Sequence, residues 1–535
     1  MASTFKVLHR RSFLVGSLVS ATAPLWARWK SSVSAMPIEE ASITSLQKAM
    51  SQGEITSVEL VRQYVQRIES IDRSGPTLRS VLEVNPDALE IARRLDLERK
   101  TKGPRGPLHG IPVLIKDNID TADKMKTTAG SLALLHAPTP QTDAPLVAAL
   151  RQAGAVILGK TNLSEWANFR STRSSSGWSG RGLQTKNPYA LDRNPSGSSS
   201  GTGTSISANL ATVGIGTETD GSIVSPSNAN GLVGFKPTVG LVSRRGIIPI
   251  SHTQDTPGPM TRNVRDAALV LSAIAGVDPK DVATHMAQGK IKKDYTEGFD
   301  TASLKGVRLG LLKTYVSRHP EVEKVARKVL DRLSAEGAIL VDVELPERSS
   351  FGEAEREVLS FEFKADLNAY LAERGGPMKT LKDVIDFNEA NRDTEMPFFG
   401  QEIFLTAQAR GDLKDEAYLK ALANCARGAR QEGIDAYLEK YKVEALISPT
   451  STPAWLTDHI NVTGGGGFSC SSLPAVAGYP HLTIPMGAVY GLPIGMSLIG
   501  AAWSDHRILQ LGYAFEKITR ARFAPRFLPS AEVPN

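Results

Sequence analysis

The sequence predicts an α/β fold. Short apolar runs recur along the chain, amphipathic segments of helical period separate several of them, and the composition is ordinary for a globular protein, with 41% hydrophobic and 22% charged residues over 535 positions. A chain this long can bury a large core.

The elements follow from period and punctuation. Thr56 to Asp72 predicts an amphipathic helix, because Val58, Leu60, Val61, Tyr64, Val65 and Ile68 recur near helical spacing. Ser80–Val84 reads as a strand. Pro86 to Thr101 reads as a second helix, with proline at its start, where the missing N–H leaves no hydrogen bond unmade. Strands are expected at Ile111–Ile115 and Ala155–Leu158, with helix Asp143–Ala153 between them. Ser171–Thr204 is rich in glycine and serine, a composition that usually marks a flexible loop. It opens into Ser205–Ala211 and then the strand-like Thr212–Gly216. A loop of that length inside a compact domain is often functional. Further strands are expected at Val307–Leu312, Ala338–Val343 and Ala445–Ile447, and helices at Glu321–Ala335 and Ser504–Thr519. The charged stretch around 350–440 is expected to be helical. Gly464–Gly467 is a second flexible piece, and no linker divides residues 36–535, which are expected to form one domain.

Residues 1–35 carry a different pattern. His9-Arg10-Arg11-Ser12-Phe13-Leu14 places paired arginines before an apolar stretch too short to span a bilayer comfortably. The order basic, apolar, small-residue is that of an export signal, and Arg-Arg-x-Phe-Leu fits the twin-arginine type. Cleavage after Val33-Ser34-Ala35 fits the small-residue rule. The mature chain is therefore expected to be periplasmic or extracellular. Lys6, Arg10, Arg11, Arg28 and Lys30 all lie in this segment, so its removal lowers the formal charge from +6 to about +1. The basic balance belongs to the signal, and no basic stripe interleaved with aromatics suggests a nucleic-acid partner. No long apolar run follows the signal, so stable membrane association of the mature chain is not expected. Cys425 and Cys470 are the only cysteines, which excludes a disulfide scaffold and leaves a single bridge open.

Three residues carry candidate chemistry. Lys116 ends the apolar run Ile111-Pro-Val-Leu-Ile115. Burial among such residues disfavours an ammonium and lowers its pKa toward that of a usable base. Ser198 lies within Ser196-Gly-Ser-Ser-Ser-Gly201, and Ser222 follows Gly216-Thr-Glu-Thr-Asp-Gly221. Successive N–H groups of Thr219, Asp220, Gly221 and Ser222 in a tight turn could converge on an oxyanion. Taken singly, each has a plainer explanation: a salt-bridged strand end, a loop serine, a turn that caps a helix. Gly197-Ser-Ser-Ser-Gly201 also fits the Gly-x-Ser-x-Gly elbow of α/β-hydrolase esterases, with Ser199 as nucleophile. That elbow needs a preceding strand, where this chain has the polar Tyr189–Ser196, and a histidine base, for which His252, His459, His481 and His506 lack supporting context.

The longer strings decide between these. Gly110-Ile-Pro-Val-Leu-Ile-Lys-Asp-Asn-Ile119, Gly154-Ala-Val-Ile-Leu-Gly-Lys-Thr-Asn162, Gly197-Ser-Ser-Ser-Gly201, Gly216-Thr-Glu-Thr-Asp-Gly-Ser222, Gly231-Leu-Val-Gly-Phe-Lys-Pro-Thr238, Ala477-Gly-Tyr-Pro-His-Leu-Thr-Ile-Pro-Met486 and Gly491-Leu-Pro-Ile-Gly495 resemble the amidase signature family in order and spacing. The resemblance covers roughly 40–520. It implies a large mixed central β-sheet covered on both faces by helices, and a Ser-cisSer-Lys triad. Ser222 matches the nucleophile, Ser198 the bridging serine and Lys116 the base. Neutral Lys116 takes a proton from Ser198, which takes one from Ser222; the amide is attacked, ammonia or amine leaves, and water cleaves the acyl-enzyme. No cofactor or metal is implied, and no His-Glu-x-x-His pattern is present.

Three departures from the family pattern matter. Asp220 stands where glycine is usual, Val224 where arginine is frequent, and Ser196 and Ser200 replace glycines of the bridging-serine loop. Asp220 and Ser199 are candidates to contact substrate. Asn162–Trp178, Gly240–Ser251 and, more weakly, Ile499–Asp505 resemble a bacterial subgroup that removes the C-terminal amide of peptides. The substrate expected is thus a small amide or peptide amide. The alternatives are a broad amidase or esterase acting on aryl or fatty amides, an α/β-hydrolase-type esterase, and an amidotransferase A-type subunit acting on aminoacyl-tRNA.

Overall fold

Eleven strands form one mixed sheet in the computed structural model, which describes residues 37–345, 351–461 and 467–533. The expected export signal at 1–35 and Gly464–Gly466 lie outside the described residues. Pro37–Asn535 clusters as one compact unit.

The strands are β1 Val81–Val84, β2 Pro112–Lys116, β3 Val156–Thr161, β4 Val213–Glu218, β5 Val233–Lys236, β6 Thr256–Thr261, β7 Arg308–Leu312, β8 Ile339–Val343, β9 Ala445–Pro449, β10 His481–Val489 and β11 Leu492–Ile499. Their order across the sheet is β1-β3-β2-β4-β6-β5-β10-β11-β9-β7-β8. β2 runs parallel to β3 and β4, β6 runs antiparallel to β4 and β5, and β7 runs parallel to β8 and β9. Every residue of β2, β3, β4, β6 and β11 is buried, so helices and loops cover both faces there. β8, at the edge, keeps two exposed positions.

Local chemistry sets the helix ends. Thr56 caps helix Ser57–Arg67 in a capping box with Glu59, and Leu60, Val61 and Tyr64 bury its apolar face. The helix continues as a π turn, Ile68–Arg73, whose Asp72 accepts from the N–H groups of Ser80 and Val81 and so fixes the start of β1. The second helix begins at Ala88, so Pro86 precedes it rather than occupying its first turn. Helices Pro145–Gln152, Pro320–Ala335 and Asp505–Thr519 lie within the segments expected, up to a residue at either end. The 350–440 region is helical, led by Gly352–Arg374. That helix buries Val358 and Phe361 in one apolar cluster with Tyr418 and Cys425, and Phe363, Leu367 and Leu371 in another with Trp166, Ile248 and Ile250. It is thereby seated against the loop that precedes β6.

Four strands escape a reading based on apolar alternation. β6 is Thr256-Pro-Gly-Pro-Met-Thr261, and proline normally argues against an interior strand. It is tolerated because β5 pairs with β6 only at Thr261 and Met260, leaving Pro257 and Pro259 without a strand partner on that side. β10 carries Pro485 and a register shift between Pro485 and Gly487, and β11 carries Pro493. β5 is short and interrupted by Gly234. Cys425 and Cys470 are both free and buried. No helix among the described residues is long and apolar enough to cross a membrane.

Gly258 marks the tightest point of the central sheet. A Cβ there would stand 2.1 Å from the Phe235 carbonyl oxygen and 3.0 Å from Ile223 Cδ1. Overpacking of this kind typically costs ~1–3 kcal/mol. Gly258→Ala is expected to lower the thermal unfolding midpoint measurably, and an unchanged midpoint would contradict the packing described.

Candidate active site

Lys116 is the last residue of β2 and is fully buried. The parallel neighbour β4 ends in Thr217 and Glu218, so two strand ends bring their side chains to one edge. Lys116 Nζ lies 2.8 Å from Ser198 Oγ, 2.9 Å from Thr217 Oγ1 and 3.2 Å from the Thr217 carbonyl oxygen. Asn118 Nδ2 donates to the same Thr217 hydroxyl at 3.0 Å, which holds that acceptor in place. Burial pulls the Lys116 pKa down to about 7, against the opposing pull of the Asp255 and Glu218 carboxylates. A neutral amine has two N–H groups and one lone pair. With both N–H groups on the two Thr217 oxygens, the lone pair faces the Ser198 hydroxyl.

The glycine- and serine-rich segment is not a loose loop where it meets the lysine. Ser198 through Ser207 are buried, and helix Ser200–Ser207 begins directly after the bridging position. The Gly197–Ser198 peptide is cis, and the Ser198 carbonyl accepts from the Ser164 N–H at 3.0 Å. Small residues are required here. A Cβ on Gly201 would stand 2.4 Å from the carbonyl oxygens of Asn162 and Ser80.

Ser199 is corrected as a substrate contact. It is fully buried, its hydroxyl donates to the Thr217 carbonyl at 3.1 Å, and it accepts from the Thr217 N–H at 3.2 Å. It ties the helix start to β4 and offers nothing to a ligand. The same bonds remove it as an esterase nucleophile. The four histidines are engaged elsewhere: His252 with Asp366, His481 with Ser497, His506 with the Glu297 carbonyl, and His459 stacked on Phe398. His481 is held neutral, its pKa lowered to about 3 by burial and by the charge of Lys236.

Ser222 sits at the surface end of the group, 8% exposed. Its carbonyl accepts from the Ser199 N–H at 3.2 Å, which joins its turn to the residue after Ser198. The turn is shaped by Glu218, whose Oε2 accepts from the N–H groups of Ile223 at 2.8 Å and Val224 at 3.0 Å. Gly221 has φ 79°, and a Cβ there would meet Ser225 Oγ and Ser471 Oγ at 2.9 Å, so this position needs glycine on both counts. With Glu218 taking the next two N–H groups, those of Thr219, Asp220, Gly221 and Ser222 have no acceptor among the described residues.

A second layer braces the turn. The Thr219 hydroxyl donates to Asp255, which also accepts from the N–H groups of Ile250 at 2.8 Å and Ser251 at 2.9 Å. Burial pushes the Asp255 pKa up to about 6. Gln254 Nε2 donates to the Thr219 carbonyl at 3.2 Å and to Glu355 Oε1 at 3.1 Å. Asp220 Oδ2 accepts from the Ser472 hydroxyl at 2.6 Å. Farther along helix Gly352–Arg374, Glu362 and Asp366 flank His252. Burial alone would lower the His252 pKa, but the hydrogen bond to Asp366 and the charge of Glu362 raise it overall. These three side chains could in principle face a cation. Glu362 is already occupied by the hydroxyls of Tyr418 at 2.8 Å and Thr253 at 2.9 Å, so the group acts as a pin between loop and helix.

The structure brings Lys116 and Ser198, both singled out in the sequence, into contact and joins the Ser222 turn to Ser199, whereas Thr217, Asn118, Glu218, Asp255, Gln254 and Glu355 were not singled out. Thr217, Glu218 and Asn118 lie inside the quoted strings, where only their neighbours were read for chemistry. Gln254 and Glu355 come from elements distant in sequence, and no local pattern marks them.

Comparison with known proteins gives concordant results. The family model described as Amidase matches residues 59–509. A probable amidase of Arabidopsis thaliana is 42% identical over 510 residues, covering 92% of this chain and 93% of that protein. The crystal structure of native peptide amidase from Stenotrophomonas maltophilia superposes with a TM-score of 0.87 at 49% identity, covering 92% of this chain and 99% of that one. A peptide amidase in complex with the competitive inhibitor chymostatin gives a TM-score of 0.89 at 49% identity, covering 92% and 100%.

The depressed lysine pKa has a direct check. In protein carrying 13C-labelled lysine, the Cε resonance of Lys116 is expected to titrate near pH 7, and a transition near its ordinary value of 10.5 would contradict the desolvation argument.

Proposed function

This chain belongs to the amidase signature family of amide hydrolases, and on that footing we propose that it is a peptide amidase using Ser222, Ser198 and Lys116 as its triad. The observation that carries the triad is the buried contact between Lys116 Nζ and Ser198 Oγ. The neutral lysine accepts the Ser198 proton as Ser198 accepts that of Ser222. The Ser222 oxygen bonds to the substrate carbonyl carbon, and the N–H groups of the Thr219–Ser222 turn stabilise the oxyanion. Collapse of the tetrahedral intermediate breaks the C–N bond, with the relay returning the proton to departing ammonia. Water, deprotonated by the same relay, then adds to the acyl-enzyme and releases the carboxylic acid and Ser222.

The substrate class is supported by the 49% identity to the Stenotrophomonas enzyme, whose described activity is that of a peptide amidase. A cavity of about 190 Å³ supports it further. Its lining includes the apolar Phe398, Phe399, Trp455 and Leu456 and the polar Ser174 to Ser176. Ser176 also packs against the backbone at Gly197, which puts the cavity next to the bridging serine's loop. Its apolar lining residues suit the side chains of a peptide. We also propose that residues 1–35 direct export through the twin-arginine route. The mature protein recovered from the exported fraction should then begin near Met36, and accumulation of full-length chain inside the cell would overturn this.

Lys116→Ala, Ser198→Ala and Ser222→Ala are each expected to lower kcat/KM on a peptide amide by at least ~10²–10⁴-fold in folded protein. Full activity of Lys116→Ala would refute the triad. Since Lys116 works as a base only when neutral, wild-type activity should rise with pH through about 7. A flat profile with chemistry limiting would contradict its role. Ammonia release should be fastest from C-terminally amidated peptides when these are compared with fatty and aryl amides. If peptide amides are the poorest of the three, the substrate assignment fails.

A further inference from the structure

The His252 ring stands between two carboxylates of helix Gly352–Arg374. Nδ1 is 2.9 Å from Asp366 Oδ2 and 3.1 Å from its Oδ1, and Nε2 is 3.4 Å from Glu362 Oε1. The backbone N–H of His252 donates to the same Asp366 Oδ2 at 2.8 Å. A neutral imidazole has a single N–H and would turn a lone pair on one of the two acids. The imidazolium, a donor at both nitrogens, fits this setting. Arg244 donates to the His252 carbonyl from the preceding loop, but its guanidinium is paired with Asp281. Glu362 also accepts from the Tyr418 hydroxyl, and Asp255 lies three residues along the loop. Burial disfavours the charged ring, yet the Asp366 hydrogen bond and the charges of Glu362 and Asp366 outweigh it and Arg244 together, and hold the pKa above 6.5.

The ring clips a loop that in turn holds the Ser222 turn. Ser251 and Thr253, on either side of His252, donate their hydroxyls to Glu362. The next two residues reach Thr219. Gln254 Nε2 donates to its carbonyl at 3.2 Å, and Asp255 accepts from its hydroxyl. Thr219 begins the run of N–H groups that ends at Ser222. Helix, loop and turn thus form one chain of contacts. Within it His252 can exchange a proton with solvent, since 39% of its side chain is exposed.

We infer that His252, as the imidazolium, is a positioning residue for the turn that carries Ser222, and that loss of its proton loosens loop 251–255 from helix Gly352–Arg374 and lowers turnover. The inference rests on Ser222 being the nucleophile. The sign is opposite to that of Lys116. The clip is complete below 6.5 and is lost as pH rises through the raised value, whereas Lys116 becomes usable as pH rises. Lys116 adds activity with rising pH, and His252 takes part of it away.

The test measures kcat and KM on one peptide amide across neutral and alkaline pH. Each protein is normalised to the fraction of Ser222 labelled by a fluorophosphonate, which also reports whether the site has folded. His252→Arg keeps a cation with N–H groups for both carboxylates at every pH used. Lys116 is common to both proteins, so its dependence cancels in the ratio of wild-type to His252→Arg kcat. That ratio should fall as pH rises, by roughly 3- to 5-fold, the scale of a partly exposed ion pair, with KM unchanged. His252→Ala should show the reduced kcat at every pH. Asp366→Asn keeps an acceptor and removes a charge, so in it the fall should move to lower pH, and it serves if His252→Arg does not fold. A ratio that does not change with pH, a His252→Ala enzyme matching wild type below 6.5, or a fall left in place by Asp366→Asn overturns the inference. Amide hydrolysis that survives Ser222→Ala would instead overturn the nucleophile assignment, so the two failures are distinguishable.

Discussion

The removal of one lysine from water is the constraint on which the site depends. An ammonium sealed in a protein interior is costly, and the cost falls only on the charged form. Lys116 is placed at the end of a strand whose every residue is buried, so its ordinary pKa of 10.5 falls to about 7. Two nearby carboxylates, Asp255 and Glu218, oppose the shift and stop it from going further. The balance leaves an amine that can be neutral near pH 7, which is what the proposed role of Lys116 as a base requires.

The parallel pairing of β2 with β4 makes this possible. It sets Lys116 beside Thr217, and this strand end does three things. The Thr217 hydroxyl and carbonyl hold Nζ, its N–H and carbonyl hold Ser199, and its neighbour Glu218 fixes the turn that carries Ser222. The Ser198 loop and the Ser222 turn are thus referenced to the same strand end. Beyond them, helix Gly352–Arg374 presents Glu355 to the turn's second layer and Glu362 and Asp366 to His252. Insertions of sequence as far apart as Asn118 and Ser472 therefore meet around one turn.

Much of this was legible in the sequence, and the reasons are specific. A lysine ending an apolar run reads, taken alone, as a salt-bridged strand end, and Lys116 was singled out as a base only through its longer string. Ser198 and Ser222 were visible only through whole strings, since each alone has the appearance of loop chemistry. The strands β6, β10 and β11 were hidden by prolines that interior strands rarely hold, and their tolerance depends on which neighbour pairs at which residue. The glycine- and serine-rich segment suggested flexibility, yet its small residues serve close packing, as the Gly201 contacts with Asn162 and Ser80 require. Ser199 looked available because it follows Ser198 in a serine run, and only the β4 backbone shows where its hydroxyl goes. Glu355 and Gln254 had no local signal, because their roles arise from tertiary contact alone.

The central claim is that Lys116 is neutral in the active enzyme and turns its lone pair toward Ser198. Neutron diffraction from a deuterium-exchanged crystal held above pH 7 tests it most directly, since deuterons on nitrogen and oxygen are then located rather than inferred. The account predicts two deuterons on Lys116 Nζ, directed at the Thr217 hydroxyl and carbonyl oxygens, and the Ser198 deuteron directed at Nζ. Three deuterons on Nζ, one of them donated to Ser198, would contradict it.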